Sequence, residues 1–124
     1  TRWALVTSAS RRVAEHRLLH AGLPLPRLLV CAGDVVRGKP DPEPYLLAAS
    51  RLGLAPADCL VFEDAPAGIA SALQAGCQVV QMGGTRRYDD RLKGWLRDWR
   101  GIEIEVAPDG LHLHLPAPLP AEAG

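Results

Sequence analysis

Glu63 and Asp64 stand side by side where the apolar run Cys59-Leu60-Val61-Phe62 gives way to the helix-forming segment Ile69 to Ala75. Two adjacent carboxylates at the end of a buried strand are costly unless something positive binds them, and a hard cation such as Mg²⁺ is their natural occupant. Upstream lie Thr7-Ser8, at the end of another apolar run, and Gly38-Lys39-Pro40. In this order the chain brings hydroxyls, an ammonium and a carboxylate pair to one end of a parallel sheet. These are the groups needed to handle a phosphate.

Each of these residues also has a plainer use. Thr7 and Ser8 suit a turn and a helix cap, yet hydroxyls together with the N–H groups of Ser8, Ala9 and Ser10 at a helix start also make an anion seat. A loop lysine is ordinarily solvated. Between Gly38 and Pro40, Lys39 is restricted to an extended backbone, from which it can reach both a phosphoryl oxygen and the acid pair. Asp64 before Ala65-Pro66 suits an N-cap, but a cap needs one acid and two are present.

Other chemistry-bearing residues carry less. His112 and His114 form a His-x-His pair of the kind that binds zinc, but no third ligand is near in sequence and alternation already puts both on a polar face. Arg86, Arg87 and Arg91 read as a solvated basic cluster, and Trp95 and Trp99 as packing groups.

The elements that must position these groups alternate. Trp3 to Thr7 reads as a strand, Arg11 to Ala21 as a helix stopped by Gly22, and Leu28 to Val30 as a second strand. A loop covers Ala32 to Pro40. Asp41-Pro42-Glu43-Pro44 opens a helix, with Asp41 as cap and Glu43 at the positive dipole end, that runs to Leu52 and ends at Gly53. Cys59 to Phe62 reads as a fully buried strand, Pro66 to Ala75 as a helix closed by Gly76, and Gln78 to Met82 as a strand. This alternation predicts an α/β parallel sheet with right-handed crossovers, whose ligands bind at the carboxyl ends of the strands.

Beyond Gly83-Gly84 the pattern predicts a short amphipathic helix from Asp90 to Trp99, then a β-hairpin over about 102–115 turning at Pro108-Asp109-Gly110. One domain over 1–115 and a disordered Pro/Ala tail over 116–124 are expected.

With 14 basic and 14 acidic residues in 124, the net charge is zero, which removes any electrostatic case for nucleic acid or an anionic membrane as main partner. Cys31, Cys59 and Cys77 are widely spaced and form no Cys-x-x-Cys pair, which fits a reducing, cytoplasmic setting. No export signal or transmembrane-length apolar run is visible, and the sequence does not begin with Met.

Three stretches, Ala4-Leu-Val-Thr-Ser-Ala-Ser, Gly38-Lys-Pro-Asp-Pro-Glu-Pro-Tyr-Leu-Leu-Ala-Ala and Val61-Phe-Glu-Asp-Ala-Pro-Ala-Gly-Ile, together resemble the haloacid dehalogenase (HAD) superfamily. The resemblance covers about residues 2–83 and is greatest to the sugar-phosphatase and β-phosphoglucomutase-like subgroup. It implies a Rossmann-like core that hydrolyses a small phosphate monoester, such as a sugar phosphate, through an aspartyl-phosphate with Mg²⁺. Thr7 and Ser8 would then bind the transferred phosphoryl group, Lys39 would neutralise charge on nucleophile and phosphate, and Glu63 with Asp64 would hold the metal.

One part of the family pattern is not found. The nucleophilic aspartate and its acid/base partner belong to an Asp-x-Asp motif on the first strand, and no such motif occurs in these residues; Asp109-Gly110 lacks the preceding aspartate. The expectation is therefore the carboxyl-terminal portion of such an enzyme, inactive alone, with the missing N-terminal half as a partner. In the family that motif strand lies between the strands matching Trp3–Thr7 and Cys59–Phe62, so those two strands must either pair directly or leave a gap for another. A catalytically inactive binding module and a phosphomutase are the alternatives. The acid pair argues against a dehalogenase, which needs no metal.

Overall fold

The structure is a computed structural model describing residues 3–100, 103–107 and 110–114, the last two ranges as backbone. Strand β1 (Leu5–Val6) runs into helix α1 (Arg11–His20), which returns to β2 (Leu29–Val30), and the two strands pair in parallel with Leu5 opposite Leu29. Helix α2 (Glu43–Leu52) follows. A second parallel sheet has the order β3 (Leu60–Glu63), β4 (Gln78–Met82), β5 (Gly94–Leu96), with α3 (Pro66–Ala75) crossing between the first two. The predicted hairpin is present as β6 (Glu103–Ala107) and β7 (Gly110–His114), antiparallel with Glu105 opposite His112. Its side chains, His112 and His114 included, the turn at 108–109 and the tail over 116–124 lie outside the described residues.

Local chemistry explains the boundaries. Ser10, rather than Thr7 or Ser8, caps α1, accepting from the Val13 N–H, while Gly53 and Gly76 end α2 and α3 at φ 72° and 92°, a backbone that disfavours every other residue type. Helix α3 buries Gly68, Ile69, Ser71, Ala72 and Ala75, a stripe of helical spacing. That stripe packs with Tyr45 of α2 on Val61 and Val79. Strand alternation sends Val80 and Met82 to the opposite face, with Leu60 and Phe62. Both sheet faces are thus apolar, and the strands read as near-continuous apolar runs.

The segment Asp90 to Trp99 is not a helix. Leu92, Trp95, Leu96 and Trp99 fall at helical spacing, which favours that reading from sequence, but the open edge of β4 recruits Gly94–Leu96 as a third parallel strand. The exchange satisfies otherwise unpaired backbone groups of β4. Gly94, Trp95 and Leu96 are all buried, the Trp95 indole donates to the Gly83 carbonyl (2.7 Å), and Trp99 is exposed with its ring against Phe62.

Among the described residues β1 and β3 share no backbone ladder and belong to separate sheets. Val6 nevertheless packs against the core that contains Val61. The two strands therefore lie near one another without pairing directly.

Candidate functional site

The carboxyl ends of β1 and β3 are joined by one side chain. Lys39, from the loop between β2 and α2, donates to the Val6 carbonyl (3.3 Å) and to Glu63 Oε1 (2.6 Å). Both side chains of this ion pair are largely buried, 13% and 8% exposed. Removing one partner of such a pair strands the other charge, at a cost of about 3–5 kcal/mol. Lys39 is thus fixed between two strand ends by partners distant in sequence.

Glu63 is the last residue of β3 and shares the buried face of Val61, which carries its carboxylate under α2 and α3. The Tyr45 hydroxyl, from α2, donates to the same Oε1, and the Lys39 ammonium lies 5.3 Å from the centre of the Tyr45 ring. Burial, reinforced by the negative charge of Glu63, pushes the Tyr45 phenol far above its ordinary value, so it remains a proton donor. On the other side the carboxylate presses against Gly68 in the first turn of α3; a Cβ there would lie 2.2 Å from Glu63 Cδ. The positive end of the α3 dipole favours an anion at that place.

Asp64 follows on the exposed side. Thr7 continues β1, its N–H donating to the Val30 carbonyl (2.9 Å), and its Oγ1 accepts from the Ala9 N–H (3.1 Å). The Ala9 N–H expected to face an anion is therefore engaged by Thr7, whose own hydroxyl proton stays available for donation. Ser8 is exposed in the turn that follows. The structure thus brings Lys39 and Glu63 into contact and places Thr7 next to Val6, whose carbonyl Lys39 holds.

Three supporting groups, Ser71, Tyr45 and Gly68, were not singled out from sequence, and Glu43 was read there only as a first-turn acid. Glu43 accepts from the Val36 and Arg37 N–H groups, shaping the loop that carries Lys39, and the Ser71 hydroxyl donates to the Asp41 carbonyl (2.6 Å), tying the start of α2 to α3. Tyr45 and Gly68 clamp Glu63. Gly68 carried a signal, since glycine inside a helix is about 1 kcal/mol worse than alanine and its presence there suggests a close approach. Among the remaining residues, Arg91 pairs with Asp89 on its own loop and Arg86 stacks on Tyr88. All three cysteines are free thiols, and no helix of the described residues is long and apolar enough to cross a membrane.

The profile of the family described as hydrolase, haloacid dehalogenase-like hydrolase, matches residues 1–76. The chain belongs to this family. It is 58% identical over 78 residues to hexitol phosphatase A of Escherichia coli, a match covering 63% of this chain and 36% of that protein. Against glycerol-1-phosphate phosphohydrolase 2 of Saccharomyces cerevisiae it is 40% identical over 95 residues, 71% of this chain and 38% of that protein. The chain therefore spans little more than a third of the length of these curated relatives. Among solved structures, a HAD family hydrolase from Deinococcus radiodurans with bound phosphate and sodium is 30% identical, with a TM-score of 0.59 over 77% of this chain and 47% of that one. CbbY from Rhodobacter sphaeroides, 23% identical with a TM-score of 0.70 over 78% of this chain and 46% of that one, shares the fold.

Proposed function

We propose that these residues form the phosphate- and Mg²⁺-handling part of a HAD-like phosphatase acting on a small phosphate monoester, such as a sugar or polyol phosphate. The observation that carries the reading is the Lys39 ammonium held between the ends of β1 and β3, against Val6 O and Glu63 Oε1. A cation fixed there opposes the negative charge of a phosphoryl group without having to reorganise. Thr7, with a hydroxyl proton to give, and Ser8 would orient the phosphoryl oxygens beside it. The relatives named as phosphatases of hexitol and glycerol phosphates support the substrate class.

The donor set suits Mg²⁺. Glu63 Oε2 has no protein donor among the described residues, and Asp64 adds an exposed carboxylate. Among the described residues no three His, Cys, Asp or Glu side chains converge, and Mg²⁺ is commonly held by one or two carboxylates with water and substrate phosphate completing the shell. Bound there, the ion would supply further charge neutralisation to the phosphate.

The nucleophile would be an aspartate outside these residues, on a strand seated between β1 and β3, where the two sheets leave a gap in their hydrogen-bonding. The test is hydrolysis of an aryl phosphate. The purified chain should release no phosphate alone and should gain Mg²⁺-dependent turnover when a segment bearing an Asp-x-Asp strand is supplied. Turnover by the chain alone, abolished by Lys39→Ala, would place a nucleophile within these residues and overturn the assignment.

A further inference from the structure

We infer that the Tyr45 hydroxyl is a positioning group, which with Lys39 holds one oxygen of Glu63 and so presents the other to a divalent cation. The inference rests on the reading of the site given above. Both donors converge on Oε1, the ammonium at 2.6 Å and the phenol from the opposite helix. Oε2 receives no donor among the described residues, where no side-chain oxygen or nitrogen is both fully buried and unpartnered. Oε2 therefore keeps contact with accessible space although Glu63 as a whole is only 8% exposed.

A glutamate with both oxygens unconstrained can rotate about its last torsion, chelate a cation with both oxygens, or swing away. With Oε1 held from two sides, rotation is blocked and one oxygen is offered in one direction. The small Mg²⁺ ion demands near-ideal octahedral geometry, so ligand orientation matters more for it than for a larger cation. Gly68 completes the restraint by letting the carboxylate lie flat against α3.

Tyr45 is not free to choose another partner. It is 6% exposed on α2, whose start is tied to α3 through Ser71 and Asp41, and its ring packs with Val61 and Ile69. Groups that orient a metal ligand from behind typically account for about 10–100-fold in metal affinity. A tyrosine serving only to fill the core would contribute nothing of the kind.

The test is Mg²⁺ binding to the unmodified chain, Asp64→Asn and Tyr45→Phe by calorimetry, with thermal unfolding of the same samples. Tyr45→Phe keeps the ring and its packing, and should weaken Mg²⁺ binding about tenfold. Binding that Asp64→Asn abolishes and Tyr45→Phe leaves intact would overturn the positioning role alone. No Asp64-dependent binding in the unmodified chain would overturn the site reading and this inference with it. As a second measurement requiring no variant, a crystal of the unmodified chain grown with Mn²⁺ should show the metal on Glu63 Oε2 and the tyrosine on Oε1; metal on Oε1 would refute the inference.

Discussion

Gly68→Ala should destabilise the chain, although it places a better helix former inside a helix. The added Cβ would lie 2.2 Å from Glu63 Cδ and 2.2–2.3 Å from its two oxygens. Ordinary contact needs about 3.5 Å, so the carboxylate must retreat by roughly 1 Å. The end of a glutamate side chain usually yields easily. Here it is held by Lys39 at 2.6 Å and by Tyr45, and a retreat of that size takes it out of hydrogen-bond range of a donor. Losing a hydrogen bond to a charged group costs about 1.5–3 kcal/mol. Alanine recovers about 1 kcal/mol of helix propensity. The net loss is then about 0.5–2 kcal/mol, and at about 4 °C per kcal/mol for a chain of this size the unfolding midpoint should fall by about 2–8 °C.

A double-mutant cycle isolates the cause. In a Glu63→Ala background there is no carboxylate to displace, so Gly68→Ala should become stabilising there. Thermal unfolding of the four proteins reads both results. If Gly68→Ala stabilises the unmodified chain as much as it stabilises Glu63→Ala, the carboxylate is not clamped and the reasoning fails.

Further expectations concern the frame around the site. Gln81, fully buried, donates to the Gly83 and Arg86 carbonyls and accepts from the Tyr88 N–H; Gln81→Leu should cost about 2–3 kcal/mol in denaturant unfolding and raise hydrogen exchange at Tyr88, and an unchanged exchange rate would contradict its role in pinning that loop. Burial pushes the Cys77 thiol up to about 11, and Cys59 is raised by burial and by the charge of Asp58. Because thiolate is the reactive form, alkylation should be slow at neutral pH and quicken as pH rises, with the half-buried Cys59 modified before Cys77 when peptides are mapped by mass spectrometry; Cys77 reacting first would contradict this. Ser71→Ala should cost about 1 kcal/mol through the lost bond to Asp41 O, and no loss in thermal unfolding would show that this tie between α2 and α3 is not needed.

Glycine and proline made much of this fold legible. Pro66 and Gly76 bound α3, Gly53 ends α2, and the run Gln78 to Met82 is a strand of that length, because local chemistry and burial agree there. Asp90 to Trp99 was misleading, since its apolar spacing fits a helix while the decisive factor, the open edge of β4, lies elsewhere in the chain. At the candidate site, charged residues at strand ends were visible from sequence. Tyr45 was not, because 18 residues separate it from Glu63 and only the packing of α2 brings them together. Nor was the choice among Thr7, Ser8 and Ser10 as cap of α1, since all three side chains carry the required hydroxyl.

The central claim is that a divalent cation and a phosphate share one pocket reached by Lys39. Calorimetric titration of inorganic phosphate into the chain, with and without Mg²⁺, tests it most directly. The account predicts that Mg²⁺ tightens phosphate binding, that Asp64→Asn removes this enhancement, and that Lys39→Ala abolishes binding in either case. Phosphate binding indifferent to Mg²⁺ and unaltered by Lys39→Ala would contradict it.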